Sequence, residues 1–401
     1  MKIIDIQSTQ EAAALFRRIG VDAYGIGAMA PKAVNLNILL EKQPCKIANI
    51  LKQEMLALGG DAAVARGSVA CSVETTDVLM MGTLKQLSRL AAKIARQPFG
   101  LDSIARDILR ILKNAGQKRF ILKTSRRKIT LGDRTRIMGI LNVTPDSFSD
   151  GGTFLSAERA VEYGLQMEAE GADILDVGGE STRPGSAAVP VHVELKRVLP
   201  VIKALSRKIK IPLSIDTKKA RVAREAVEAG AEIINDISAL NGDRKMAGTA
   251  AETGAALVLM HMRGNPENMQ KGNLAYDDLL GDITDYLSAS IGKAIRAGVS
   301  KDAMVIDPGI GFGKTVADNY RIIRRLADLR TLGMPILVGP SRKSFIGNVT
   351  GDEPRQRLEG TAATVSAAIM NGCHIVRVHD VAAMKKVAAV TDAMTHPRKV
   401  I

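Results

Sequence analysis

The feature that most constrains this chain is an alternation of strand-like and helix-like segments that starts at residue 137 and repeats toward the C-terminus. Short apolar runs at Ile137–Asn142, Ala172–Val177, Leu213–Asp216, Ile233–Asp236, Ala256–Met260, Met304–Asp307, Ile336–Gly339 and Ile375–Val378 alternate with longer amphipathic segments such as Ser156–Glu170, Ala220–Glu228, Tyr276–Ala297 and Arg355–Asn371. A strand-then-helix repeat implies parallel pairing through right-handed crossovers. Eight such units in about 265 residues match an α/β fold of the closed (β/α)8 TIM-barrel type, with an open doubly wound sheet as the weaker alternative. Polar and glycine residues cluster just after the runs, where a barrel places its active-site mouth.

Residues 1–118 do not follow this repeat. Val21–Ala30, Val34–Leu40 and Val64–Ser72 read as extended, while Cys45–Ala57, Leu84–Arg96 and Leu101–Leu112 read as helical, with Asn114–Gly116 breaking the last helix. This predicts a small separate α+β domain over 1–118 and the barrel over 119–401. Phe120–Thr124 and Lys128–Leu131, around Ser125–Arg127, predict a hairpin that can plug the barrel bottom.

Composition narrows the class. With 46% hydrophobic and 24% charged residues the chain is an ordinary globular one. Cys45, Cys71 and Cys373 are odd in number and far apart, which argues against a disulfide framework or structural zinc and fits a reducing, cytoplasmic setting. Neither a long uncharged apolar stretch nor a basic head before an apolar run is present, so a membrane partner is not expected. The net charge of +14 is spread over both parts of the chain, and aromatics make up only 3% with no Trp. That distribution argues against nucleic acid and suits an anionic small-molecule substrate.

The chemistry sits in the loops. Asn142 to Gly152 is polar and hinged by Pro145 and Gly151-Gly152, as a mobile lid would be. Asn142 and Asp150 offer oxygens suited to a hard cation such as Mg2+, although an Asx-turn loop without a ligand reads equally well from this segment alone. At the second run, Asp176-Val177-Gly178-Gly179-Glu180-Ser181-Thr182-Arg183-Pro184-Gly185-Ser186 combines backbone donors at the two glycines with the Thr182 hydroxyl and the planar cation Arg183, a set that suits a phosphate or pyrophosphate.

Polar strand ends converge in a barrel. Asp216, Asn235-Asp236 and Asp307 would need partners rich in N–H donors, as the guanidine-like edge of a heterocycle is. A helix cap explains Thr217 or Asp236 singly but not the whole set. Arg342, Lys343, Arg377 and His379 near one mouth read as an anion site, whereas His374 reads as structural and His192, His261 and His396 receive no role. No Ser-His-Asp, Walker or His/Cys metal signature is present.

Met138 to Gly152, Gly179 to Gly185, Asp307 to Lys314, Ser341-Arg342-Lys343-Ser344 and Arg377-Val378-His379-Asp380 together closely resemble the dihydropteroate synthases, over about residues 120–401. The resemblance implies condensation of 6-hydroxymethyl-7,8-dihydropterin pyrophosphate with 4-aminobenzoate in folate biosynthesis, with Mg2+, and a cytoplasmic sulfonamide target that is commonly a homodimer. By the same resemblance Asp216, Asn235, Asp307 and Lys343 would hold the pterin, Asn142 would help bind Mg2+, and Arg377 and His379 would hold the pyrophosphate. Asp150 and Arg183 would complete the closed site, with Lys343 counted beside them as catalytic, and Thr182, Pro184, Phe312 and Ser344 would frame the aminobenzoate. The alternatives are a corrinoid-type pterin-binding methyltransferase domain, which has no use for a pyrophosphate site, and a catalytically silent pterin-binding protein, against which the intact loops argue.

Overall fold

The computed structural model describes residues 1–144, 153–182, 185–270 and 272–395. It divides the chain into two units, Met1–Gly116 and Gln117–Ile401.

In the first unit, alternation along β1 (Asn35–Pro44) buries Ile38 and leaves Leu39 exposed. This strand pairs antiparallel with β3 (Thr75–Thr83), and β2 (Asp61–Ala63) lies on the other side of β3. Helices α3 (Cys45–Ala57), α4 (Leu84–Ile94) and α5 (Leu101–Gly116) contribute Leu51, Met55, Leu87, Leu90 and Ile108 to one core with Val78 and Met80 of the sheet. A capping box between Thr83 and Gln86 starts α4 where β3 ends. α1 (Thr9–Ile19) and α2 (Ala23–Met29) precede the sheet.

Several expectations fail here. Val21–Ala30 is mostly the helix α2, because Asp22 caps it by accepting from the Gly25 amide at 2.9 Å. Val64–Ser72 contains only a short 3-10 turn, and the strand lies at Thr75–Thr83, which the sequence reading left unassigned. α5 runs through Gly116 instead of breaking at Asn114. Cys45 and Cys71 form a disulfide, contrary to the reading of the spacing, and Cys373 is free and buried. The first residue of α3 and the turn after Ser68 meet with Cα atoms 5.5 Å apart, a proximity that pairwise spacing does not reveal.

In the second unit, β4 (Phe120–Lys123) and β5 (Lys128–Leu131) form the expected hairpin. The parallel strands are β6 (Arg136–Asn142), β7 (Ile174–Gly178), β8 (Leu213–Asp216), β9 (Ile233–Asp236), β10 (Ala256–Met260), β11 (Met304–Asp307), β12 (Leu337–Val338) and β13 (Ile375–Val378). They pair in the order β11-β10-β9-β8-β7-β6-β13-β12, and a parallel bridge between Ile306 and Ile336 joins the two ends into a closed barrel. Around it lie α6 (Thr153–Ala169), α7 (Val191–Leu205), α8 (Ala220–Ala229), α9 (Met246–Thr253), α10 (Leu279–Arg296), α11 (Val316–Arg324), α12 (Ser344–Thr350), α13 (Leu358–Met370) and α14 (Val381–Thr395). The main core fills the layer between strands and helices, with Leu141, Val177, Ile215, Leu257, Ile306 and Val376 packed on Val198, Ile283 and Val365.

The hairpin plugs one end. Leu122 and Leu131, with Phe120 and Ile129, pack on Met138, Ile174, Ile233, Val305, Leu337 and Ile375 at the starts of the strands. With that end closed by apolar side chains, the ends at Asn142, Asp216, Asn235 and Asp307 form the accessible mouth. Leu131 is fully buried, so Leu131→Ala is expected to cost about 3 kcal/mol, measured as a lower urea midpoint at unchanged slope. An unchanged midpoint would show that the plug contributes nothing to stability.

Candidate active site

The mouth is built around one cation. Arg377, on β13, donates from Nε to Asp176 Oδ2 at 2.6 Å and from Nη2 to Asp216 Oδ2 at 2.7 Å. Since β6 separates β13 from β7 in the sheet, the guanidinium reaches its partners across the barrel interior. Burial opposes its charge, but Asp176 and Asp216 outweigh that and hold it protonated. Asp176 Oδ2 also accepts from Asn235 Nδ2 at 2.9 Å, which leaves the Asn235 carbonyl oxygen as the free end of that amide. Asp176 Oδ1, Asp216 Oδ1 and the Ser214 hydroxyl are buried and find no partner among the described residues. Burial, opposed by Arg377 and reinforced by the charge of Asp176, raises the Asp216 carboxyl to about 7.

Asp307 completes the acceptor wall. It is buried, its Oδ1 accepts from the Gly309 amide at 2.7 Å, and burial raises its carboxyl despite the pull of Lys343. Lys343 stands over the Phe312 ring, 4.5 Å from its centroid, and donates to the Ile310 carbonyl. Burial lowers its ammonium to about 8, with Asp307 working in the opposite sense. Arg342, at φ 58, carries the turn that delivers Lys343. Its amide donates to Thr361 Oγ1 at 3.1 Å, and its guanidinium pairs with Asp380 at 3.0 Å.

The loop after β11 is fixed by four donors in a row. The carbonyls of Ile310, Gly311, Phe312 and Gly313 accept from Lys343, Gln270, Lys314 and Tyr276 respectively. Gly309, at φ 69, must be glycine, since a Cβ there would collide with the His261 carbonyl. Lys314 is buried and also meets His261 Nδ1 at 2.9 Å. Burial lowers Lys314 to about 7 and His261 to about 2, so the imidazole is neutral.

Among the remaining expected residues, Asn142 ends β6, and its Oδ1 would lie 3.6 Å from a Cβ placed on Gly178. Thr182 lines a small crevice with Glu180, Glu194 and Asp216. His379 Nδ1 meets Ser341 Oγ at 3.0 Å, and Ser344 is exposed at the start of α12. Asp150, Arg183 and Pro184 lie outside the described residues, as does His396. The four expected cations do not form a free anion cluster: Arg342 is neutralised by Asp380, and Arg377 lies between two carboxylates. Asp236 is consumed by its own turn, accepting from Ser238 and the Leu240 amide. His374 is structural, accepting from the Ile336 amide at 3.1 Å and meeting Phe120 edge to face. Sequence reasoning assigns Asp176 no role of its own and does not reveal the Lys314–His261 pair. A charge within the otherwise apolar strand Ile174–Gly178 was the available signal for Asp176.

The family model for pterin binding enzymes matches residues 138–379. A dihydropteroate synthase of Synechocystis is 48% identical over 265 residues, covering 66% of this chain and 91% of its own length. This chain belongs to the dihydropteroate synthase family of pterin-binding enzymes. The relatives' names decide against the methyltransferase alternative. A Xanthomonas albilineans dihydropteroate synthase solved with 4-aminobenzoic acid matches with a TM-score of 0.65 at 46% identity, over 69% of this chain and 99% of that one. A Haloferax volcanii protein named as a probable bifunctional folylpolyglutamate synthase/dihydropteroate synthase is 39% identical over 385 residues. That match spans 93% of this chain and 44% of the relative, so it takes in most of the first unit.

The lowered Lys314 gives a pH prediction. A buried ammonium penalises the folded state while it is charged, so stability from this group rises as pH climbs from about 7 toward the unfolded value near 10.4. Lys314→Met removes that rise, and the advantage of the parent protein over the variant is expected to grow by about 2–4 kcal/mol between pH 7 and pH 9.5. Urea unfolding at the two pH values checks it; a constant difference would place the lysine's charge in solvent.

Proposed function

We propose that the barrel condenses 6-hydroxymethyl-7,8-dihydropterin pyrophosphate with 4-aminobenzoate, giving 7,8-dihydropteroate and pyrophosphate in folate biosynthesis. The observation that carries this reading is the buried acceptor wall of Asp216, Asn235 and Asp307, each at most 6% exposed, beside the Lys343 ammonium. Acceptors of this kind match the N–H-rich edge of a pterin, and the Lys343 ammonium matches its ring acceptors. Phe312 and Lys343, with Thr182, Pro184 and Ser344, frame the arylamine.

An arylamine is a weak, neutral nucleophile. The barrier therefore falls most when the C–O bond to pyrophosphate breaks early and the pterin spreads the developing positive charge. Asp307 and Asp216 favour that electron-poor ring, and no strong base is needed because the attacking nitrogen becomes acidic on bonding. Asp150 and Arg183 act on the closed state, excluding water from the cation. Arg377 serves chiefly to hold Asp176 and Asp216 apart as paired charges, while His379 on Ser341 faces the leaving group.

Mg2+ fits the mouth only as an ion shared with substrate. Asn142 supplies one oxygen close to Gly178 and Asp216, and among the described residues no group of three His, Cys, Asp or Glu is placed to hold a metal alone. Asn142 together with the pyrophosphate oxygens would hold it, and it would supply charge neutralisation for the leaving group. The protein acts on small molecules and associates as a homodimer.

Release of pyrophosphate that depends on 4-aminobenzoate, competed by a sulfonamide, is the direct test; release independent of the amine would leave a hydrolase. Asp307→Ala and Lys343→Ala are each expected to weaken binding of the pterin pyrophosphate about 100-fold, since a buried charged partner is lost. Calorimetric titration checks this, and unchanged affinity removes the residue from the pterin site.

We also propose that residues 1–118 take no part in the chemistry. A chain beginning at Gln117, which keeps the β4–β5 hairpin, is expected to fold by circular dichroism and to retain kcat within about threefold of the full chain, a margin of under 1 kcal/mol. A folded truncation without turnover would assign the first unit a share of the active site.

A further inference from the structure

The loop between β7 and α7 has a closed neck. Lys219, three residues beyond Asp216, donates from Nζ to Glu180, to Glu194 and, at 2.6 Å, to the Val189 carbonyl. Glu180 Oε2 also accepts from the Val189 amide at 3.2 Å, and its Oε1 faces Lys218 at 3.3 Å. Glu180 and Val189 are thus tied to each other and to the segment that presents Asp216. Behind the neck, Arg197 donates to the Gly179 carbonyl at 2.8 Å, and Gly179 has no room for a Cβ because Val198 Cγ1 would lie 2.7 Å away. The far side of the loop bonds elsewhere, from the Gly185 amide to the Pro266 carbonyl at 2.9 Å.

From this geometry we infer that Lys219 is a positioning residue that sets the loop carrying Thr182 against the pterin-facing Asp216. The crevice that Thr182 shares with Asp216 is walled by Glu180 and Glu194, the two carboxylates Lys219 binds. Two lysines against two glutamates leave the neck with no net charge. Burial works against the ion pairs, but Glu180 is held below the usual carboxylate range and Lys219 above the usual ammonium range by each other. A buried cluster of this kind contributes little net stability and much geometric definition. Freed from Lys219, the loop samples orientations in which Thr182 no longer faces the second substrate, while the pterin pocket on Asn235, Asp307 and Lys343 stays built.

This inference rests on the synthase reading for its kinetic arm and on the structure alone for its other arm. In Lys219→Met, hydrogen–deuterium exchange in the full chain is expected to accelerate at least tenfold across residues 179–190 and to be unchanged in peptides spanning β9 to β11. Steady-state kinetics are expected to show at least a tenfold loss in kcat/KM for 4-aminobenzoate, with pterin pyrophosphate affinity within threefold of the parent and with Lys219→Arg restoring most of the loss. Exchange that is unchanged over 179–190, or that accelerates through the whole barrel, overturns the assignment, as does an equal loss of pterin affinity. Should Lys219→Met fail to fold, Glu180→Gln is read for the same exchange pattern. A parent protein without turnover would overturn the synthase reading, and the exchange arm would still decide the tether.

Discussion

The active-site mouth depends on a single guanidinium lying between two carboxylates. Without Arg377, Asp176 and Asp216 would be two like charges on neighbouring strands with almost no exposure to water, and at least one would have to take up a proton. With it, Asp176 remains an acceptor for Asn235, which turns the amide so that its oxygen stays free. The orientation of three polar groups thus follows from one cation. β13 pairs directly with β6, which separates it from β7, so the curvature of the sheet lets the Arg377 side chain pass inside β6 to Asp176 and Asp216.

The two ends of this barrel divide the energetic work. At the bottom, Leu122 and Leu131 of the hairpin seal the strand starts with apolar contacts, burying surface at about 25 cal/mol per Å². At the mouth, Asp176 Oδ1, Asp216 Oδ1 and Ser214 Oγ find no partner among the described residues, and each such atom costs stability. A site built to recognise a donor-rich ligand needs such atoms, and a plugged, well-packed frame keeps them from being satisfied by local collapse.

The barrel was legible because its signal is periodic and redundant. Five of the expected strands, Leu213–Asp216, Ile233–Asp236, Ala256–Met260, Met304–Asp307 and Ile375–Val378, have the bounds seen in the structure. The seventh shrinks to Leu337–Val338, since Gly339 and Pro340 lead directly into the Arg342 turn. In the first unit the apolar content of Val21–Ala30 suggested a strand, but a single Asp22 cap decided for helix. The Cys45–Cys71 bond depends on a contact across 26 residues that no local pattern announces. At the mouth, the residue types were readable while their pairing was not. Arg377 and Arg342 read as free anion binders, and each is in fact engaged with acid from another segment, Asp176 and Asp216 for one and Asp380 for the other.

That pairing changes how specificity arises. If the cations were free, the mouth would select for negative charge, and any phosphorylated compound would compete. On the proposed function, with Arg377 neutralised inside the wall, selection would pass to the acceptors, and the decisive quantity would be the number of N–H donors a ligand can direct at Asp216, Asn235 and Asp307 at once. A heterocycle lacking one donor leaves a buried acceptor unpaired in the complex, a loss worth about 1–3 kcal/mol for each group and more where the group is charged. A ligand carrying pyrophosphate without such a ring gains only what Asn142, His379 and the loop residues offer near the surface. On that reading the arrangement would select the ring first and the leaving group second, the order a synthase needs if it is to open a reactive C–O bond only when the correct ring is in place.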